Sequence, residues 1–211
     1  MMVSVARPRG DRRQQIADAT LRVVGGYGVQ GTTMARVAAH VGISGPALYK
    51  HFSNRSEMLE AAMDLLLERV TAWLDSSTNP DALERLRELG LRHASSIATD
   101  YEGVVAPLFE FVASGPRSQL TEQMARRQRA TLQKVVDIIT EGQRQGTIRR
   151  DIDVQVAAWS LIGLTWMENF ALLEGMTEFV TDGISAKMLN RVLGEISPVS
   201  DPSLNCQAPR L

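Results

Sequence analysis

Apolar residues recur every three or four positions along almost the whole chain, and no stretch alternates with the period of two that marks a strand. From Asp11 to about Tyr27 the spacing of Ile16, Thr20, Val23, Val24 and Tyr27 predicts an amphipathic helix. Val37, Val41, Ile43 and Leu48 then fall where two short crossed helices would pack. Met58, Leu59, Ala62, Leu65, Leu66 and Trp73 stripe a long helix to about Leu74, which Ser53 or Asn54 can cap. Ser76 to Pro80 reads as a linker or turn. Further helices are expected at about 80–100, at 103–113 (started or interrupted at Pro107), at 119–145 before Gly146, at 154–173 behind Asp153, and at 182–196. The fold class is all-α.

Residues 32–58, TTMARVAAHVGISGPALYKHFSNRSEM, organise the rest. Ala38 is small enough for two helices to approach closely, and Gly42 stands where the first must end, in a position that favours φ > 0. Ser44 offers an N-cap oxygen to the second helix, and Pro46 lies near its start, where a missing N–H costs little. This is the pattern of a helix-turn-helix, whose second helix can enter a DNA major groove.

Charge sharpens that reading. The formal net charge is −1, yet residues 1–56 hold eight Arg/Lys against two Asp, giving +6, and the remainder carries −7. A basic N-terminal quarter on an acidic body fits a DNA-binding module joined to a part that does not bind DNA. No acid occurs from Arg36 to Ser56. Arg7 and Arg9 lie in residues 1–10, a flexible basic arm that either reaches a groove or phosphates or is simply solvated. Arg12 and Arg13, poorly placed for the positive end of a helix dipole, make more sense facing phosphate.

Residues 31–59, GTTMARVAAHVGISGPALYKHFSNRSEML, resemble the N-terminal domain of the TetR (tetracycline repressor) family of bacterial transcriptional regulators. The match is carried by Thr32, Thr33, Val37, Ala38, Gly42, Ile43, Ser44, Leu48, Tyr49, His51, Phe52 and Arg55. Two features depart from the family pattern: Val24 replaces the usual Phe, and Gly25-Gly26 replaces helix formers. The double Gly is expected to weaken the last turn of the first helix by roughly 1–2 kcal/mol relative to Ala-Ala. The resemblance implies a three-helix DNA-binding domain over 11–57 and a helical ligand-binding and dimerisation domain over 58–196. The last two long helices would form a four-helix interface with a second copy. Residues 197–211, with three prolines, are expected to be a disordered tail.

Tyr49 and Lys50 are the leading candidates for base-edge or phosphate contact. Thr32, Thr33, Ser44, Gly45, Pro46, His51 and Arg55 complete the candidate DNA-binding set as phosphate anchors and turn residues; the alternative for His51 is a polar residue packed at the domain core. In the body, Phe109, Phe111, Met124, Trp166, Asn169 and Phe170 either line a ligand cavity or belong to core packing or a dimer seam. His40, His51 and His93 are scattered without metal-ligand spacing, and no nucleophile elbow or phosphate-binding Gly loop occurs, so neither a metal, a cofactor nor an enzyme is expected. Cys206 stands alone, consistent with a reducing cytoplasm, and no secretory signal follows Met1. The longest uncharged stretch in the body, Val154 to Met167, is fourteen residues, which is too short to span a bilayer and suits a buried helix.

The expected function is a cytoplasmic repressor. A homodimer binds a palindromic duplex operator and is released by a small hydrophobic effector, without a membrane partner. The alternatives are a regulator controlled by a protein partner without a small ligand, and a helical enzyme or scaffold.

Overall fold

The computed structural model describes residues 9–98, 101–113 and 119–198, and every regular element among them is helical. In chain order these are α1 (Arg9–Gly31), α2 (Met34–Val41), α3 (Gly45–Tyr49), α4 (Arg55–Ala72), α5 (Ala82–Ile97), α6 (Ala106–Ala113), α7 (Gln119–Gln145), α8 (Val154–Leu173), α9 (Glu178–Thr181) and α10 (Ile184–Ile196). A 3₁₀ turn, Trp73–Asp75, extends α4, and a π-helical turn, Tyr101–Val105, precedes α6. Arg7, Cys206 and most of the proline-containing tail lie outside the described residues. Arg9 and Gly10, expected in the arm, already belong to α1.

The chain divides into two compact units, one over residues 1–70 and 101–125, the other over 71–100 and 126–211. In the first, Ile16, Val23, Val37, Ala38, Leu48, Phe52 and Met58 form one buried cluster. Alternate turns of α1 thus close the core behind α2 and α3. In the second, Val135, Ile139, Leu161, Ile162, Leu189 and Leu193 are among the residues that join α7, α8 and α10 in one core.

Helix ends follow local chemistry. Thr33 Oγ1 accepts from the Arg36 N–H at 3.2 Å, Asp81 from Leu83 and Glu84, and Asp153 from Gln155 and Val156. Asn54, not Ser53, caps α4 by accepting from the Glu57 N–H at 3.0 Å, while Glu57 reaches back to the Ser53 N–H at 2.7 Å. This reciprocal arrangement satisfies two donors that the helix itself leaves without partners.

The double Gly does not end α1. Gly25 and Gly26 remain helical, and the one non-helical residue is Gly28, at φ 69° and ψ 168°. That conformation is close to glycine-only. A Cβ there would also lie 2.8 Å from Glu110 Oε2 on α6, which packs along α1. Gly28→Ala is therefore expected to destabilise the first unit by about 1–3 kcal/mol. Urea unfolding of the two proteins would measure this, and equal midpoints would refute the assignment.

The expected linker at 76–80 is a tied turn. Glu88 on α5 accepts from Ser77 Oγ at 2.5 Å and from Asn79 Nδ2 at 2.9 Å, and Ser77 is buried. α8 runs for 20 residues, longer than its uncharged stretch, and is long and apolar enough to cross a membrane by length and composition. Half of its most apolar window is buried inside the fold, and a buried acid, Glu168, interrupts it, as suits a core helix. α9 has no counterpart among the expected elements.

Candidate DNA interface and effector cavity

The second helix of the helix-turn-helix is short and held from both ends. Ser44 Oγ accepts from the Ala47 N–H at 3.3 Å, Pro46 occupies its first turn, and Leu48 and Phe52 are fully buried. Gly42 closes α2 in the left-handed conformation at φ 72°, and its N–H turns back to Ala38 and Ala39 carbonyls. With Leu48 and Phe52 fixed in the core, the residues between them project outward. Tyr49 is 57% exposed, Lys50 is exposed, and His51 is half-buried.

Thr33 and Ser44 are exposed at the two helix starts. Each side-chain oxygen accepts from its own helix, which leaves the O–H to donate outward to an anion. Pro46 is exposed in the first turn of α3 and Gly45 is half-buried.

Thr32 departs from the expectation. It is fully buried, and its hydroxyl donates to the Gly28 carbonyl at 2.8 Å. A hydroxyl so placed supports the bend at Gly28 and cannot reach a phosphate. Arg55 is also engaged within the fold. Its Nε donates to the Thr32 carbonyl at 2.6 Å and its Nη2 to the Val29 carbonyl, so its fork grips the end of α1 and joins it to the start of α4.

Arg13 is the third correction. Its guanidinium lies 4.2 Å from the centre of the Phe52 ring, pairs with Glu57 at 2.8 Å, and donates to the His51 carbonyl. It clamps the end of the recognition segment against α1 and α4 rather than facing phosphate. These partners lie 38 and 44 residues away in the chain, beyond the reach of any local pattern. Arg36, on the exposed side of α2, stacks over the Tyr27 ring at 4.3 Å and caps the Gly31 carbonyl.

The same clamp is expected to make the unit acid-sensitive. The Ser53 N–H and then the Arg13 guanidinium hold the Glu57 carboxyl below its ordinary value of 4.5. A lowered folded-state pKa contributes stability that is present above the ordinary value and is lost as pH falls through the folded one. The unfolding midpoint is therefore expected to drop on acidification below about pH 4.5, and Glu57→Gln to flatten that slope in part. Glu88 and Glu141, lowered by hydrogen bonds from Ser77 and Arg85 respectively, keep a residual slope of the same sign. Thermal melts from neutral pH downward test this; identical slopes in the two proteins would refute it.

In the second unit there is a small, largely apolar cleft, partly open to solvent. Trp73, Leu86, Leu89, Val135, Leu161, Ile162 and Leu189 contribute its apolar wall, and Thr165 and Glu168 its polar one. Glu168 is 5% exposed and joins three helices: His93 Nδ1 on α5 lies 2.7 Å from its Oε2, and Ser185 Oγ on α10 donates to its Oε1. His93 is itself 3% exposed and stands edge-on to Trp73, with ring centres 5.3 Å apart. His93 and Ser185 were not anticipated here, since neither sits in a motif.

None of the six residues expected to line a ligand cavity lines this one. Phe109, Phe111 and Met124 belong to the first unit, where Phe111 is fully buried. Trp166, Asn169 and Phe170 belong to the second. Trp166 packs against its core, Asn169 is buried with Nδ2 donating to the Thr165 carbonyl at 2.7 Å, and Phe170 is 42% exposed. Phe170 shares a helical stripe with Val156, Trp159 and Met167, which are all exposed, and Met188 on the adjoining α10 is exposed as well. Exposed apolar stripes of this kind are common at contact surfaces.

Residues 16–62 match the family described as bacterial regulatory proteins of the tetR family, and residues 79–168 match the tetracyclin repressor-like C-terminal domain. The HTH-type transcriptional repressor KstR2 of Mycobacterium tuberculosis is 30% identical over 172 residues, covering 79% of this chain and 84% of that protein. A TetR transcription regulator from Haloarcula marismortui superimposes with a TM-score of 0.78 at 19% identity, over 89% of this chain and 99% of that one. The transcriptional regulator FadR from Bacillus subtilis, solved in complex with stearoyl-CoA, superimposes with a TM-score of 0.67 at 20% identity, over 88% and 98%. At these identities the two structures establish a common fold.

Proposed function

Since the chain belongs to the TetR family of bacterial regulatory proteins, and is thus a transcriptional regulator rather than an enzyme, we propose that it is a repressor acting in the cytoplasm as a homodimer on a palindromic operator. The observation that carries this reading is the outward presentation of Tyr49 and Lys50 between two buried anchors, on a surface without an acid from Arg36 to Ser56. Thr33, Ser44, Pro46 and His51 surround them, and two such surfaces related by a two-fold axis read two half-sites. The repressor KstR2 supports the sign of regulation.

The stripe Val156, Trp159, Met167 and Phe170 on α8, with Met188 on α10, supports the dimer. In a two-fold interface each residue acts twice, so one substitution counts double. Trp159→Asp is expected to raise the dimer dissociation constant on the order of a hundredfold or more. Sedimentation velocity with footprinting on a selected operator reads both consequences. The parent protein sediments as a dimer and protects two half-sites; the variant sediments as a monomer and protects neither. A dimeric variant would move the interface elsewhere, and a parent without protection would remove the regulator reading.

Release by a small effector completes the proposal. The cleft behind Trp73 and Leu89 supports an effector that is largely apolar, and the stearoyl-CoA held by FadR supports the same. The effector acts only through the difference in its affinity for DNA-competent and DNA-incompetent states.

A further inference from the structure

We infer that the cleft in the second unit recognises an apolar molecule through a hydrogen-bond donor on that molecule, a hydroxyl or an ammonium, received by Glu168. This rests on the ligand-responsive reading above and assigns the chemistry of the ligand. The wall offers few polar side chains. Thr165 donates its hydroxyl proton to the Ile162 carbonyl at 2.8 Å, so only its oxygen, an acceptor, remains for a guest. Glu168 receives one donor on each oxygen, Ser185 Oγ on Oε1 and the His93 ring nitrogen, at 2.7 Å, on Oε2. A carboxylate has about four lone-pair directions, so two donors leave it able to accept more. Trp73 supplies the one side-chain N–H on the wall, along with an aromatic surface beside His93.

Complementarity follows from burial. Glu168 is 5% exposed and its surroundings are Leu, Ile and Val, so charges there are poorly screened. A hydroxyl entering the cleft completes the acceptor set of Glu168, and its own oxygen suits a donor such as the indole. An ammonium does so with an added charge attraction and packs on the Trp73 ring. A carboxylate meets Glu168 as a like charge in a water-poor site and is disfavoured. The His93 and Ser185 hydrogen bonds, drawn from α5 and α10, hold the Glu168 side chain in one orientation. A fixed acceptor receives a guest without first being ordered.

Three probes of equal chain length separate the possibilities: 1-octanol, octylammonium and octanoate, each titrated into the full chain by calorimetry and by the shift in melting temperature. The two donors are expected to bind at least roughly tenfold more tightly than octanoate. Comparing 1-octanol with octylammonium tells whether the natural head group is neutral or cationic. Glu168→Gln, which keeps the shape and removes the charge, is expected to narrow the octylammonium-to-octanoate ratio by at least roughly tenfold. If Glu168 were merely structural, the variant would melt earlier yet rank the probes as the parent does. Octanoate binding as tightly as the donors, or no probe binding at all, overturns the assignment. If operator binding holds while the probes fail, the regulator reading stands and only the ligand chemistry falls; probes that bind a protein indifferent to operator DNA give the reverse.

Discussion

Replacing Tyr49 and Lys50 together by alanine is expected to lower operator affinity on the order of a thousandfold while leaving the protein folded. Each base-edge or phosphate contact of this kind contributes about 1–3 kcal/mol, and a dimer loses four of them at once. Both side chains stand outside the core, between Leu48 and Phe52, so their truncation leaves no cavity. The change in folding stability is expected to stay within about 0.5 kcal/mol. The single variants separate the roles. If Lys50 grips phosphate, Lys50→Ala weakens all duplexes alike and reduces the salt slope by about 2 for a dimer. If Lys50 reads a guanine, preference at one position of each half-site relaxes instead. Competition titrations over a set of single-base operator variants decide between these. A double variant that binds like the parent would place the reading surface elsewhere.

The second large effect lies in the other unit. His93→Leu is expected to destabilise the protein by about 2–5 kcal/mol, because it leaves Glu168 buried and short of its partner. The volume change is small, so the penalty comes from the stranded acid and not from packing. Glu168→Gln is milder, since an amide oxygen still accepts from the His93 N–H at the same place. The double replacement His93→Leu with Glu168→Met removes both polar groups and is expected to recover most of the loss. Equilibrium urea unfolding of the parent, His93→Leu, Glu168→Met and the double variant forms the double-mutant cycle. Additive losses would show that the two side chains do not stabilise each other, and the network would then have no structural weight.

What could be read in the sequence, and what could not, divides by distance along the chain. The helix-turn-helix was legible because its determinants are neighbours. Gly42 ends α2, Ser44 caps α3, and Leu48 and Phe52 share a face one turn apart. Asp153 announced the start of α8 for the same reason. Arg13 and Arg55 were misassigned because charge and position near the DNA-binding segment favour phosphate until their long-range partners are known. Arg13 finds Glu57 and Phe52, and Arg55 finds the end of α1. Thr32 shows the limit of a motif: the residue type matched, but its hydroxyl faces inward to Gly28. The first helix was read to about Tyr27, and its helical dihedrals give way at Gly28, where a Cβ would meet Glu110 of α6.

Glu168 marks the same boundary in the second unit. In sequence it is one acid in an apolar helix beside Trp166 and Phe170. Its two partners stand 75 and 17 residues away, and a lone His and a Ser carry no recognisable spacing. The apolar stripe of α8 was visible, yet its division between core, cleft and exterior was not. Leu161 turns inward and Trp159 outward, a choice set by the helices that pack against α8.

The most direct test of the central claim is binding of the purified protein to DNA from upstream of its own coding sequence. Band shifts and footprints would be taken at two salt concentrations against a scrambled duplex. The account predicts preference over the scrambled duplex, a two-half-site footprint, affinity that falls steeply with salt, and loss of all three in the Tyr49→Ala, Lys50→Ala protein. Equal affinity for both duplexes here and across a genome-wide selection of bound fragments, unchanged by the double substitution, would contradict it.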